Sequence, residues 1–426
     1  MPSNPGNLVP AQRSAASPIS RRTLLSGAAA VGFGALASAC GSSTTSGSTP
    51  SPTPSASPSP SSSVPNASQL QALFTKTAKE LTTPGAVVIY QTAQGVLRST
   101  YGAKTVAGSP PVSFDDHFRI GSITKTFTGT VILQLAQEGK LGIDDPVSKY
   151  RSDVPNGRNI TLTQLLNMRS GLYNYSESLE FNTALDETPR RAWAPDELLA
   201  MAYQTPPYFA PGKGYHYTNT GLILLGLIVE KIEGNDLATS FQKRLFDPLG
   251  MHETVFPARD SFTLPAPHPQ GYMYGTNVST IESATLPESH QAAISAGTLK
   301  PTDVTDQNPS WAWAAGAAIS TVQDVLSWVT AMGDGSLLNA EWQRKRLNSL
   351  QPVNPQEPNA GAYGLAIVKL GPMYGHTGEL PGFQSFCGYD PDKKNGLVVL
   401  ANLNAAPNGD PVASTISKSF IETVYS

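Results

Sequence analysis

Ser122 and Lys125 stand three residues apart in Gly121-Ser122-Ile123-Thr124-Lys125, at the head of an apolar segment. A serine hydroxyl becomes a useful nucleophile only when a base sits beside it. On a helix, residues three apart share a face, so a lysine amine can reach a serine oxygen. The N-terminus of that helix adds unpaired backbone N–H groups and a positive dipole end. Both favour a developing alkoxide or oxyanion. For Lys125 to act as a base its pKa must fall, which burial or a neighbouring cation achieves. By itself this spacing also describes a helix-capping serine followed by a solvated lysine.

Two later stretches add the missing parts. The first is Tyr215-His216-Tyr217-Thr218-Asn219, just ahead of an apolar helix. The second is His376-Thr377-Gly378-Glu379, followed by Leu380-Pro381-Gly382-Phe383. In this order and at these separations, S-x-x-K, Y-x-N and H-T-G resemble the serine β-lactamase and D-alanyl-D-alanine carboxypeptidase family, specifically its class C-related branch. Supporting stretches are Ile160–Leu166, Ser170-Gly171-Leu172, Pro248-Leu249-Gly250-Met251 and Ala315-Gly316. The resemblance implies an α+β fold in which an antiparallel sheet, flanked by terminal helices, carries an inserted, mostly helical lobe. It also implies roles. Ser122 is the acylated nucleophile and Lys125 takes its proton. Tyr217, as a phenolate beside Lys125, shuttles that proton to the leaving amine. Asn219 binds the substrate amide and Lys125. His376 and Thr377 face the substrate carboxylate from an edge strand, and Gly378 leaves room for the substrate along it. The backbone N–H groups of Ser122 and Glu379 form the oxyanion hole.

The pattern departs from many relatives at His376, where they carry Lys. A histidine titrates near 6.5, so turnover of carboxylate-bearing substrates is expected to weaken as pH rises through the His376 pKa. Met168 stands where relatives often have His, a difference assigned to lobe packing. Glu180-Phe181-Asn182 is similar to a deacylating glutamate motif, but it precedes Tyr217 instead of following it, and it reads as a loop. His216 alternates with Tyr217 and reads as structural or exposed. Cys387 reads as a small buried apolar residue.

The elements that must position these residues follow from pattern. Leu70, Leu73, Phe74, Ala78 and Leu81 fall at helical spacing, stopped by Pro84-Gly85. Strands are expected at Ala86–Tyr90 and Val96–Tyr101, turning at Gly95. A helix follows Ser122 to about Glu138, with Ile123, Phe127, Val131 and Leu135 on one face. Further helices are expected at Leu162–Asn167, Pro195–Tyr203, Gly221–Ile232 and Thr321–Met332. Strands return at Tyr363–Leu370, Phe383–Tyr389 and Gly396–Ala401, and a last helix spans Val412–Tyr425. Elements of both chain ends therefore build one sheet around a helical lobe at about 120–300, with the site expected between lobe and sheet.

Ahead of this domain (67–426) lie two segments of another kind. Residues 1–39 read as an export signal: Arg21-Arg22 precede a short, small-residue apolar run, as in twin-arginine signals. That run is too short to span a bilayer. It ends in Leu36-Ala37-Ser38-Ala39-Cys40, similar to a bacterial lipobox with Ala37 where leucine is usual, so Cys40 is the expected lipid anchor. Residues 40–66 are rich in Ser and Pro and read as an extended tether. Export and an outer-face membrane anchor follow as expectations.

Composition narrows the function classes. Of 29 basic residues three, Arg13, Arg21 and Arg22, lie within residues 1–39, leaving 26 against 32 acidic ones and a net −6. A mildly acidic body without a basic stripe does not suit nucleic acid. Two cysteines support no disulfide framework. There is no G-x-S-x-G elbow, no second histidine at zincin spacing after His252-Glu253 and no nucleotide loop. No metal and no cofactor are implied. The expected partner is a small peptide, β-lactam or ester; a non-catalytic penicillin-binding receptor is the reading from a different class.

Overall fold

A computed structural model describes residues 64–108, 110–357 and 361–426. The export signal, the site at Cys40 and residues 40–63 of the tether lie outside the described residues. Val64, three residues ahead of the Ala67 boundary read from sequence, is buried in the terminal-helix core.

The chain ends build an eight-stranded antiparallel sheet. Its strands are β1 (Gly85–Thr92), β2 (Gly95–Gly102), β3 (Gln351–Pro352), β4 (Ala362–Tyr363), β5 (Val368–Leu370), β6 (Met373–Leu380), β7 (Phe383–Asp390) and β8 (Asn395–Ala401). They lie in the order β2-β1-β8-β7-β6-β5-β4-β3. Helices α1 (Ala67–Glu80), α2 (Thr124–Gln137), α3 (Thr220–Glu233), α4 (Val322–Asp334), α5 (Ala340–Leu347) and α6 (Val412–Tyr425) complete the frame needed here. The arrangement is the expected α+β one: α1 and α6 cover one face of the sheet, and the helical lobe covers the other.

The central strands are apolar on both faces, as layers on both sides require. Along β1, Val87 and Ile89 join the lobe-side core while Ala86, Val88 and Tyr90 join the terminal-helix core. Helix α2 is buried around nearly its whole circumference, where the sequence suggested one apolar face. Its threonines make this possible. Thr126 Oγ1 donates to Ile123 O (2.6 Å) and accepts from Trp328 Nε1 (2.8 Å), Thr128 Oγ1 donates to Ala314 O (2.6 Å), and Thr130 Oγ1 accepts from Arg346 (2.8 Å). A buried hydroxyl with a partner loses little on leaving water.

The expected strand Tyr363–Leu370 is divided in two. Ala366 takes a positive φ of 54° and its N–H donates to Leu166 O (3.0 Å). That inward turn seats Ala366 against Gly129 of α2, where an added Cβ would lie 2.3 Å from the Ala366 methyl. Alternation of residue types carries no sign of such a tertiary contact. Glu180-Phe181-Asn182, read as a loop, opens the helix Leu179–Glu187, with Ser178 Oγ capping Phe181 N–H at 3.1 Å.

Candidate active site

Three segments meet at Ser122: the turn that starts α2, the loop that enters α3, and the edge of β6. Gly121 adopts φ +52°, outside the range comfortable for a side chain. It turns the chain from Ile120 into a short 3-10 turn, Gly121–Ile123, that continues into α2. Ser122 is half-buried at the cleft, and Lys125, one turn on, is fully buried.

Lys125 Nζ lies 2.9 Å from Ser122 Oγ, 2.7 Å from Asn219 Oδ1 and 2.8 Å from Ala315 O. Burial pushes its pKa well below the ordinary lysine value. The two carbonyl oxygens only accept, so Lys125 donates to both; once it sheds its third proton it keeps those bonds and turns its lone pair to the serine hydroxyl. Ala315, absent from the candidate residues, is the second of those acceptors; its place in the Ala315-Gly316 stretch was the available signal.

The Tyr217 hydroxyl hydrogen-bonds Ser122, and its ring centroid lies 4.9 Å from Lys125 Nζ. Burial raises the Tyr217 pKa, outweighing the lowering effect of the Ser122 bond. The expected phenolate is therefore corrected: burial outweighs what favours the anion, and Tyr217 rests as a phenol. Asn219 is held by a side-chain chain that sequence did not single out. Its N–H donates to Asn174 Oδ1 (3.1 Å), its Nδ2 to Ser176 Oγ (3.0 Å), and Ser176 Oγ to Asn174 Oδ1 (3.0 Å). Met168 is fully buried and its Sδ accepts the Thr218 N–H at 3.4 Å, so it packs beneath the Tyr217-Thr218-Asn219 loop. His216 is buried, stacked on Tyr208 and bonded to Glu177 (2.9 Å).

The third wall is β6. Its partner β5 ends at the Gly375↔Val368 pair, so the outer edge from His376 to Leu380 extends beyond the neighbouring strand. Two-residue turns link β5 to β6 and β6 to β7, closing on Leu370↔Met373 and Leu380↔Phe383. Both registers aim the backbone N–H and C=O of Thr377 and Glu379 outward, away from β7. The Glu379 N lies against the nucleophile turn: a Cβ on Gly121 would sit 2.5 Å from it. This is the geometry for a pair of donors from Ser122 and Glu379.

Gly378 serves that contact. A Cβ here would lie 2.0 Å from Ile120 O and 2.3 Å from Ser385 Oγ. Ser385, opposite Gly378 on β7, donates to the same Ile120 O at 2.8 Å. The glycine thus makes room for the nucleophile turn, where the resemblance had assigned that room to substrate.

His376 is also placed differently from expectation. Strand alternation turns it to the lobe-side face with Cys387, while Thr377 shares the opposite face with Phe386. His376 is buried, its Nε2 is 3.0 Å from the Tyr363 hydroxyl, and its Nδ1 bonds Thr377 O. A carbonyl only accepts, so the proton is on Nδ1 and Tyr363 donates to Nε2. Burial, assisted by Lys125, lowers the His376 pKa to about 3. A neutral, doubly bonded ring does not offer a carboxylate a positive charge, and the expected rate change near pH 6.5 loses its cause. Behind Tyr363, Arg346 is fully buried with its pKa lowered to about 9. Cys387 is buried beside His376, and burial pushes its thiol up to about 12. Among the described residues no cluster of metal-ligating side chains is present. A cavity of about 1060 Å³, lined in part by Asp186, Arg190, Val304 and Asp306, holds none of the residues gathered around Ser122.

Known proteins share this architecture. The Beta-lactamase family model matches residues 70–416. Protein flp of Staphylococcus aureus strain MRSA252 is 28% identical over 340 residues, covering 76% of this chain and 60% of the relative. Esterase EstB of Burkholderia gladioli is 28% identical over 243 residues, 54% of this chain and 61% of the relative. The chain thus spans about 60% of the length of these curated relatives. The crystal structure of a D-stereospecific amidohydrolase from Streptomyces sp. superposes with a TM-score of 0.68 at 30% identity, covering 80% of this chain and 96% of that one.

Proposed function

This chain belongs to the beta-lactamase family, whose members include esterases, amidases and penicillin-binding proteins acting as serine hydrolases, and from that membership we propose that it cleaves amide bonds through an acyl-enzyme on Ser122. The carrying observation is Lys125: a fully buried amine, held by two acceptor-only oxygens, with Ser122 Oγ 2.9 Å away.

Lys125 removes the Ser122 proton as Oγ attacks the substrate carbonyl. The N–H groups of Ser122 and Glu379 receive the oxyanion; one such donor is typically worth on the order of 10²–10³ in rate. Tyr217, already protonated and bonded to Ser122, gives its proton to the leaving nitrogen and is recharged from the Lys125 ammonium. Water then attacks the acyl group while the same pair carries its proton away, regenerating Ser122. Asn219 orients both Lys125 and the substrate amide.

The chemistries open to such a site include D,D-carboxypeptidase, β-lactamase and esterase action. The bond cleaved is read as an amide in a D-configured substrate, as the name of the Streptomyces structure suggests; the D,D-carboxypeptidase form of that reading needs a terminal carboxylate, to which His376 brings no charge. The neutral His376 favours substrates that do not depend on a terminal carboxylate. We place the enzyme outside the cytoplasm, anchored through Cys40, on the strength of the Arg21-Arg22 and Leu36–Cys40 stretches.

Intact-mass analysis after adding a penicillin, a D-alanyl-D-alanine peptide or a D-amino-acid amide tests the reading. An adduct on Ser122 or hydrolysis of the amides, lost in Ser122→Ala, supports it. Ester turnover without any amide turnover replaces amidase with esterase, and turnover that survives in Ser122→Ala removes Ser122 as the nucleophile.

A further inference from the structure

Three lysine or arginine side chains are buried among the described residues: Lys125, Arg119 and Arg346. A charge taken out of water is costly unless something compensates it. Lys125 is relieved by losing its proton, since burial drives its pKa well down. Arg119 keeps its proton and has support. Its Nη2 donates to Phe262 O (2.6 Å) and Thr305 O (3.2 Å), and the Asp306 carboxylate acts on it with the opposite charge.

Arg346 has neither form of relief. It lies in α5 with its side chain fully buried, and its Nη1 donates to Thr130 Oγ1 of α2 at 2.8 Å. Even with its pKa lowered to about 9, it is a cation at neutral pH. The one ionisable group that acts on it among the described residues is the Tyr363 phenol, which burial keeps neutral. Its Nε and Nη2 have no hydrogen-bond partner among the described residues. Those two N–H groups form the side-on edge of the guanidinium, the fork that holds an anion through two parallel bonds.

We infer that the Arg346 fork is an internal anion site that takes one small monovalent anion, a halide such as chloride. One negative charge matches one guanidinium. The side chain is sealed from solvent, so a substrate carboxylate or a phosphate does not reach it. A spherical halide accepts from both N–H groups and asks for no donor in return. Water could accept the same two bonds, but it brings no charge. The site has a place in the architecture as well. Tyr363, beside this guanidinium, donates to His376 Nε2 at 3.0 Å, so the anion cancels a fixed positive charge behind the sheet wall of the active site.

Crystals of the protein grown with bromide in place of chloride give the direct test. An anomalous peak is expected at the Nε and Nη2 edge of Arg346. The second readout is thermal, with ionic strength held constant by gluconate. Tm is expected to rise by about 1–3 °C for each tenfold increase in chloride once the site begins to fill, as for any ligand bound by the folded chain alone. Arg346→Met removes the charge and the fork together, and its Tm should not depend on chloride. Without halide this variant should match or exceed the parent in Tm, because replacing an uncompensated buried charge with an apolar side chain is often neutral or stabilising. A map without bromide at the fork overturns the inference, leaving water as the partner of Nε and Nη2. A parent Tm no more sensitive to chloride than that of Arg346→Met overturns it as well. If Arg346→Met does not fold, the bromide map of the parent decides alone.

Discussion

The two walls of the site are built by different rules. On the lobe side, Ser122 and Lys125 meet because a helix returns every third or fourth residue to the same face. Three residues of chain are enough to place one beside the other, 2.9 Å apart. On the sheet side, the functional face of β6 depends on partners far along the chain. Its register is fixed by turns at both ends, its edge is open because β5 stops, and its glycine is required by a carbonyl from residue 120. Chemistry on the first wall follows from local spacing, whereas on the second it follows from what is buried behind the strand.

The largest effects break the first wall. Ser122→Ala is expected to lower kcat/KM by about 10⁴ or more, in the range seen when a nucleophile is removed, and to abolish the penicillin adduct by mass. Lys125→Met leaves the nucleophile but removes its base, and turnover should fall by about 10²–10⁴. It also strands Asn219 Oδ1 and Ala315 O, each costing about 1–3 kcal/mol if left unpaired. A lower Tm should therefore accompany the lost activity. If Lys125→Met retains a tenth of the activity, the local wall is not the source of the base.

Gly378→Ala tests the joint between the walls. The new methyl group meets Ile120 O and Ser385 Oγ, pushing β6 away from the nucleophile turn. Loss of the Glu379 donor predicts a fall in kcat on the order of 10². KM should move less, because the acyl pocket remains. A fall confined to KM would return Gly378 to the substrate-clearance role.

The sheet wall also has a pH signature. His376 is held at about 3 in the fold against an unfolded value near 6.5. Between those values the unfolded chain binds more protons, so this residue's contribution to stability is present above pH 6.5 and is lost as pH falls towards 3. Tm should drop by several degrees between pH 7.5 and 5, and His376→Asn should flatten the drop; an equal slope in the variant would show that His376 is not the cause. The acid limb of kcat/KM belongs to Lys125, whose lowered pKa makes the rate rise with pH as the amine loses its proton. A rate that instead falls as pH rises through 6.5 would restore His376 as a charged carboxylate ligand.

Much of this was legible in sequence where the governing interactions are local. The α2 boundaries, the β1–β2 hairpin at Gly95 and the gathering of Ser122, Lys125, Tyr217 and Asn219 all rest on periodicity, turn chemistry or ordered motifs. What sequence did not show was environment. Nothing in His376-Thr377-Gly378 reveals that Tyr363 and Thr377 O hold the imidazole neutral, or that burial keeps Tyr217 a phenol. The split at Ala366 and the bond from Lys125 to Ala315 O depend on contacts 200 and 190 residues away from their partners in Leu166 and Lys125 respectively.

The smallest expected effect concerns Glu180, which resembles part of a deacylating motif by residue type alone. It lies in the first turn of the helix Leu179–Glu187 and is exposed, while its neighbour Phe181 is buried against Tyr175 and Trp193. A carboxylate on that surface has no role in the proton path from Ser122 through Lys125 and Tyr217. Near a helix N-terminus its charge contributes about 0.3–1 kcal/mol to stability, so Glu180→Gln should shift Tm by a few degrees at most. Deacylation followed by single-turnover release of a labelled acyl group should stay within about twofold of the parent, an ordinary limit for a surface substitution. Slower release by tenfold or more, with acylation unchanged, would show that the two walls described here do not contain the whole hydrolytic apparatus.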